Sequence, residues 1–118
     1  MKESIVKNKA LSFAKEAINL YKLLFVQNEY VLSKQFLRSA TSIGANINEA
    51  LAGQSKKDFI TKMSIASKEA RETLYWIELL EYSNFIAYDY NNIKSQCSEL
   101  IQMLTAIVKT SQQNLTKN

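Results

Sequence analysis

Apolar residues in this chain recur every three or four positions along four separate stretches, and that recurrence decides the fold class. Val6, Ala10, Phe13, Ala17, Leu20 and Leu24 are spaced by 4, 3, 4, 3 and 4. At 3.6 residues per turn such a series falls on one stripe of a helix. Lys9, Lys15, Glu16, Asn19 and Lys22 lie between the stripe positions, and Gln27-Asn28-Glu29 breaks the pattern. Leu32, Phe36, Ala40, Ile43, Ile47 and Ala50 make a second stripe, followed by Gly53. A left-handed residue closing a helix is commonly glycine, so Gly53 is expected to fill that role. Phe59, Met63, Ala66, Ala70, Leu74 (or Thr73) and Ile77 make the third stripe. Ser55 is placed to cap it, with Asp58 at the third helical position where the helix dipole favours an acid. Residues 83–91 read as the longest loop, although Phe85, Ile86, Tyr88 and Tyr90 make it apolar. Asp89 or Asn91 is suited to cap the fourth helix. Ile93, Cys97, Leu100, Leu104 and Ile107 make the fourth stripe.

The expected architecture is a single all-α domain over residues 1–118, with helices at about 3–25, 30–52, 55–82 and 92–114. Short connections near 27–29 and 53–55 favour antiparallel neighbours, hence an up-down-up-down four-helix bundle. The 118 residues include no proline and two glycines, which argues against a turn-rich β-fold.

Composition also narrows the chemistry. With no histidine, a triad with a histidine base is excluded and an imidazole metal site is not expected. A single cysteine excludes an internal disulfide and a cysteine-only zinc site. Cys97 falls on an apolar stripe, where a thiol is inert. No catalytic residue, metal or cofactor is therefore expected, and the chain reads as a non-enzyme. No stretch approaches the ~18 apolar residues of a membrane span. No compact apolar run follows Met1-Lys2-Glu3-Ser4, so no secretory signal and a cytoplasmic location are expected.

The net charge of +4 is uneven: residues 1–62 sum to +5 and residues 63–118 to −1. A basic bias suits a phosphate backbone. Lys34 and Arg38 lie early in the second helix, and Lys56, Lys57 and Lys62 early in the third. These are the candidate nucleic-acid contacts, for RNA or DNA. In an antiparallel pair the two groups sit at opposite ends, and a symmetric oligomer would repeat each around its axis. Arg38, Ser42, Asn46 and Glu49 share a strip beside the second core line and suggest a hydrogen-bonded network at a helix or subunit contact. Gly44 lies near that core line, costing about 1 kcal/mol relative to alanine. It reads either as a point of close backbone approach or as a harmless exposed residue. Ile65, Tyr75, Trp76 and Leu79 widen the apolar arc of the third helix. They are the candidate oligomer interface, or a surface that holds a protein partner, and otherwise read as the wide core face of a small bundle.

With these residues in hand, the chain resembles the 23S ribosomal RNA intervening-sequence proteins. Ala10-Leu11-Ser12-Phe13-Ala14 and Leu20-Tyr21-Lys22 resemble the opening helix of that family. The run from Leu32 through Phe36-Leu37-Arg38-Ser39-Ala40 and Ile43-Gly44-Ala45-Asn46 to Ala50 resembles its most characteristic segment. Gly53-Gln54-Ser55-Lys56-Lys57-Asp58-Phe59 and Lys68-Glu69-Ala70-Arg71-Glu72-Thr73-Leu74-Tyr75-Trp76 come next in order. Many relatives place proline where Gly44 stands and glycine where Ala50 stands, and Asn48 replaces a residue often small or acidic. The resemblance implies a cytoplasmic bundle that assembles as a ring, often a pentamer. It also implies distant kinship with the basic accessory protein of diversity-generating retroelements, which helps a reverse transcriptase handle nucleic acid. Many members are encoded inside insertions in ribosomal RNA genes and others are free-standing. No catalytic residue comes with the family.

Overall fold

The computed structural model describes residues 2–116. Four helices account for most of them: α1 (Lys2–Val26), α2 (Leu32–Leu51), α3 (Lys56–Ser83) and α4 (Asn91–Thr116). No strand occurs among the described residues. The body is a rod of 53 × 21 × 21 Å. Each helix packs on its neighbours in the cycle α1–α2–α3–α4–α1, and the diagonal pairs stay apart. Cross-helix pairs run in opposite senses. Arg38 meets Glu69 and Glu72 while Glu49 meets Lys62, and Lys94 meets Glu81 while Thr105 meets Arg71.

The four stripes form the core. All six stripe residues of α1 are fully buried, as are Phe36, Ala40, Ile43 and Ile47 of α2 and Ile93, Cys97 and Leu104 of α4. On α3 the ambiguity at 73/74 resolves to Thr73, which is fully buried, while Leu74 packs at the core margin. The Thr73 hydroxyl donates to Ser39 Oγ at 2.9 Å, and buried Ser39 donates to the Phe36 carbonyl at 3.2 Å. Tyr90, from the apolar loop, closes one end of the core. Gly44 faces α1. A Cβ there would stand 3.7 Å from Ala10 Cβ, an ordinary contact, so the two helices do not need a glycine to approach.

The helix ends differ from expectation in chemistry more than in position. Neither glycine has a positive φ, and Gly53 is not the left-handed terminator. Its N–H bonds the Ala50 carbonyl at 3.1 Å in a tightened last turn. Asparagines do that work at the two other exits. Asn28 (φ 66°) closes α1 with the paired bonds Asn28 N–H to Phe25 O and Glu29 N–H to Leu24 O, both 3.0 Å, which define a Schellman motif. Asn84 (φ 53°) closes α3, its N–H bonding the Leu80 carbonyl at 3.2 Å. Asparagine tolerates this region because its short polar side chain can bond locally.

The start of α2 is held by Glu29, a residue inside what the sequence presents as a plain polar break. Its carboxylate accepts from the N–H groups of Val31 (3.1 Å), Leu32 (3.2 Å) and Ser33 (2.6 Å), and the Ser33 hydroxyl donates back to the Glu29 carbonyl at 2.6 Å. This reciprocal cap explains why α2 begins at Leu32 and not at Tyr30. At α3, Ser55 Oγ accepts from the Asp58 N–H at 3.1 Å.

Candidate nucleic-acid interface

The five candidate cations fall into two groups with different surroundings. Arg38 reaches across from α2 to α3, bonding Glu69 Oε2 at 3.2 Å and Glu72 Oε2 more closely. Trp76 Nε1 donates to the same Glu72 oxygen at 3.2 Å. Lys62 pairs with Glu49 at 3.1 Å. Arg38 and Lys62 therefore each carry a local counter-charge. Lys34, Lys56 and Lys57 are exposed and have no ion pair among the described residues.

Within the strip of Arg38, Ser42, Asn46 and Glu49, side chains bond backbone carbonyls rather than one another. The Ser42 hydroxyl donates to the Arg38 carbonyl and Asn46 Nδ2 to the Ser42 carbonyl, both at 2.8 Å within α2. The two charged members pair across to α3. Arg38 and Glu49 thus bond at the α2–α3 contact, because antiparallel packing sets an opposite charge over each end of the strip.

Antiparallel packing also re-sorts the charge. The first turns of α1, the start of α3 and the last turns of α4 converge at one end, where Glu3, Phe59, Ile107, Thr110, Ser111 and Asn114 line a shallow groove. That end carries Lys7, Lys56, Lys57, Lys62 and Lys109 against Glu3, Glu49 and Asp58. The other end carries Lys22, Lys34 and Lys94 against Glu29, Glu78, Glu81 and Asp89. Sequence reasoning misses Lys7 and Lys109, because they are far from residues 56–57 in the chain. Lys56 and Lys57 are the first two residues of α3, where the dipole is positive and repels a lysine unless an anion is near.

Of the candidate interface residues, Ile65 and Tyr75 are exposed, while Trp76 and Leu79 are half-buried. Trp76 packs against the core margin and stacks edge-on with Tyr75, ring centres 5.3 Å apart. A second apolar strip lies on α1, where Leu11, Ile18 and Phe25 are exposed at seven-residue spacing. That spacing is present in the sequence, but the stronger core stripe of the same helix masks it.

Among the described residues, no group of three or more cysteine, aspartate or glutamate residues is placed to hold a metal ion. Cys97 is fully buried, its Sγ lies 3.3 Å from the Ala70 carbonyl, and burial pushes its thiol up to about 12. It stays protonated at neutral pH and is no nucleophile. No described helix is long and apolar enough to cross a membrane.

The fold and surface define a small all-α bundle whose visible assets are a lysine-rich end and exposed apolar strips. The chain belongs to the 23S rRNA-intervening sequence protein family, whose profile matches residues 2–106. A crystal structure of a protein with unknown function from the S23 ribosomal protein family of Bacteroides thetaiotaomicron VPI-5482 is similar to it, with a TM-score of 0.88. The two are 50% identical, over 92% of this chain and 99% of that one. Among curated proteins nothing matches.

Proposed function

We propose that this protein is a non-enzymatic, cytoplasmic, oligomeric bundle that binds RNA or DNA through lysines with low sequence specificity. The observation that carries the reading is the polarised charge. Lys56 and Lys57 project without an acidic partner from the end that also bears Lys7 and Lys109. Lysine is a flexible point charge, so such a surface holds phosphates and reads few base edges. Lys34 supplies a separate contact at the opposite end. Arg38 and Lys62 contribute less, since nucleic acid must compete with Glu69, Glu72 and Glu49 for them. The ribosomal RNA in the family's name agrees with a nucleic-acid partner, and the resemblance suggests a pentamer.

The test is binding of duplex and single-stranded RNA and DNA across a salt series. Removing one phosphate-binding lysine should flatten the slope of log K against log salt by roughly 0.7–0.9. Lys56→Glu with Lys57→Glu should weaken low-salt binding at least tenfold for every sequence alike. Absence of any RNA or DNA retention at low salt overturns the reading. The exposed aromatic residues of α3 favour a second reading, a scaffold for another protein. A partner that stays bound through nuclease treatment, with no nucleic-acid affinity in the purified chain, would support it.

A further inference from the structure

The chain has two arginines, and they are held in opposite ways. Arg38 is matched by the carboxylates of Glu69 and Glu72. Arg71 reaches from α3 to α4, where its Nη2 donates to Thr105 Oγ1 at 2.9 Å, and it has no ion pair among the described residues. The Thr105 hydroxyl gives its own proton to the Ile101 carbonyl at 2.7 Å, so its lone pair is turned to the guanidinium. One guanidinium donor is thereby spent on a neutral oxygen and the others stay open. The charge is fixed in place without being neutralised. Around it lies a groove of about 280 Å³ between α3 and α4, with Ser64, Ser67, Lys109 and Gln112 among its walls and no acid lining it. The Ser64 and Ser67 hydroxyls are half-buried there and make no hydrogen bond among the described residues. The carboxylates that could compete are taken elsewhere: Glu69 and Glu72 by Arg38, and Glu99, the single acid of α4, by Lys9.

We infer that this groove binds the phosphodiester backbone of a nucleic-acid strand, with Arg71 as its anchor. The inference rests on the nucleic-acid part of the proposed function and gives the strand a path. Lys57, Ser64 and Arg71 recur every seven residues, close to two helical turns, and so share one line of α3. Exposed Lys68 borders that line and Lys109 lines the facing wall on α4; neither has an ion pair among the described residues. From Lys57 to Arg71 the line runs about 21 Å, the length of about six stacked nucleotides at ~3.4 Å each. The next position on it is Glu78, which is exposed and repels phosphate. The track therefore starts at the lysine-rich end and stops beyond Arg71. A guanidinium steadied by Thr105 offers a phosphate a planar fork of donors, and the Ser64 and Ser67 hydroxyls add neutral ones. Such donors hold every sequence alike.

Anisotropy of a labelled uridine oligomer of about eight nucleotides, slightly longer than the track, tests it on the full chain. Arg71→Gln should weaken binding by about tenfold and flatten the slope of log K against log salt by roughly 0.7. Thr105→Val leaves every charge in place but releases the guanidinium, and should weaken binding by about threefold at an almost unchanged slope. Lys109→Gln, at an exposed position, should flatten the slope as Arg71→Gln does and serves if that variant fails to fold. Lys15→Gln removes the same charge from the exposed surface of α1 and should bind as the unmodified chain does. In amide NMR the oligomer should shift Ser64, Ser67, Thr105 and Lys109. Equal losses in Arg71→Gln and Lys15→Gln would reduce the effect to net charge and overturn the site, as would a Thr105→Val chain that binds at full strength. If inorganic phosphate shifts those amides and the oligomer does not, the groove takes a free phosphate and the strand assignment falls. If Lys56→Glu with Lys57→Glu weakens binding and neither Arg71→Gln nor Lys109→Gln does, the nucleic-acid reading stands and this inference is overturned. If the unmodified chain retains no oligomer at low salt, both fail.

Discussion

Removing the Glu29 carboxylate should destabilise the bundle through one helix end. The side chain is 6% exposed and satisfies three of the four N–H groups that a helix leaves open at its start. In Glu29→Ala, water can reach the Val31 and Leu32 amides, since those residues are exposed or half-buried. Ser33 is fully buried and its amide would be left without an acceptor, at a cost of about 1–3 kcal/mol. The missing charge at the positive helix end adds roughly 0.3–1 kcal/mol. The expected total is about 1.3–4 kcal/mol. Glu29→Gln keeps an acceptor oxygen but removes the charge, and should cost about half as much. Urea unfolding followed by far-ultraviolet circular dichroism measures both, with the slope unchanged. A change below about 0.5 kcal/mol in Glu29→Ala would refute the cap as a source of stability. Amide exchange should report the same site, with Ser33 N–H losing protection before the middle of α2.

Phe36→Ala empties a fully buried site in the second turn of α2 and should cost about 3–5 kcal/mol by the same unfolding assay. Gly44→Ala should stabilise by about 0.5–1 kcal/mol, because the new methyl meets Ala10 at an ordinary distance and the helix gains a better helix former. The Cys97 thiol should resist an aromatic disulfide reagent at pH 8 in the native protein and react at once in denaturant. Stability should fall as pH rises from about 9 to about 12. Burial raises the Cys97 thiol and the Tyr90 phenol to about 12, so the unfolded chain deprotonates first and the native state holds more protons in that window. An unfolding midpoint that stays level to pH 11 would contradict this.

The core is legible in the sequence because burial follows helical period, and period needs no knowledge of partners. The choice between Leu74 and Thr73 is not. It turns on Ser39 of α2, whose hydroxyl makes the polar choice the buried one. Glycine is the commonest terminator and so the natural guess at a helix end, while the chain uses Asn28 and Asn84, whose side chains reach the same backbone region less visibly. Glu29 escapes notice because a capping rule looks for a short side chain directly before the helix, and this cap acts from three residues away with a long one. The candidate site suffers most. Arg38 and Glu49 find their counter-charges 31 and 13 residues along the chain, and spacing on one helix says nothing of the register against another. The division into a +5 and a −1 half by sequence likewise dissolves, since antiparallel helices bring Lys7 and Lys109 to the same end as Lys56.

The hydroxyl pair of Ser39 and Thr73 bears on the arrangements that the chain avoids. Apolar stripes with a shared period can slide past one another by a turn and still meet apolar surface. With this pair in the seam, any such slip parts the two hydroxyls and sets each against aliphatic carbon, although each keeps the bond to its own helix, Thr73 to the Glu69 carbonyl at 2.7 Å and Ser39 to the Phe36 carbonyl at 3.2 Å. Losing that one cross-helix bond adds about 0.5–1.5 kcal/mol to the cost of the slipped packing itself. The two small side chains thus act as a keyway: they add little to the depth of the native well and raise the floor of its nearest competitors. A Ser39→Ala, Thr73→Val chain would fold to nearly the same stability and hold its helix register less strictly, which amide NMR would show as doubled or broadened resonances along the α2–α3 seam.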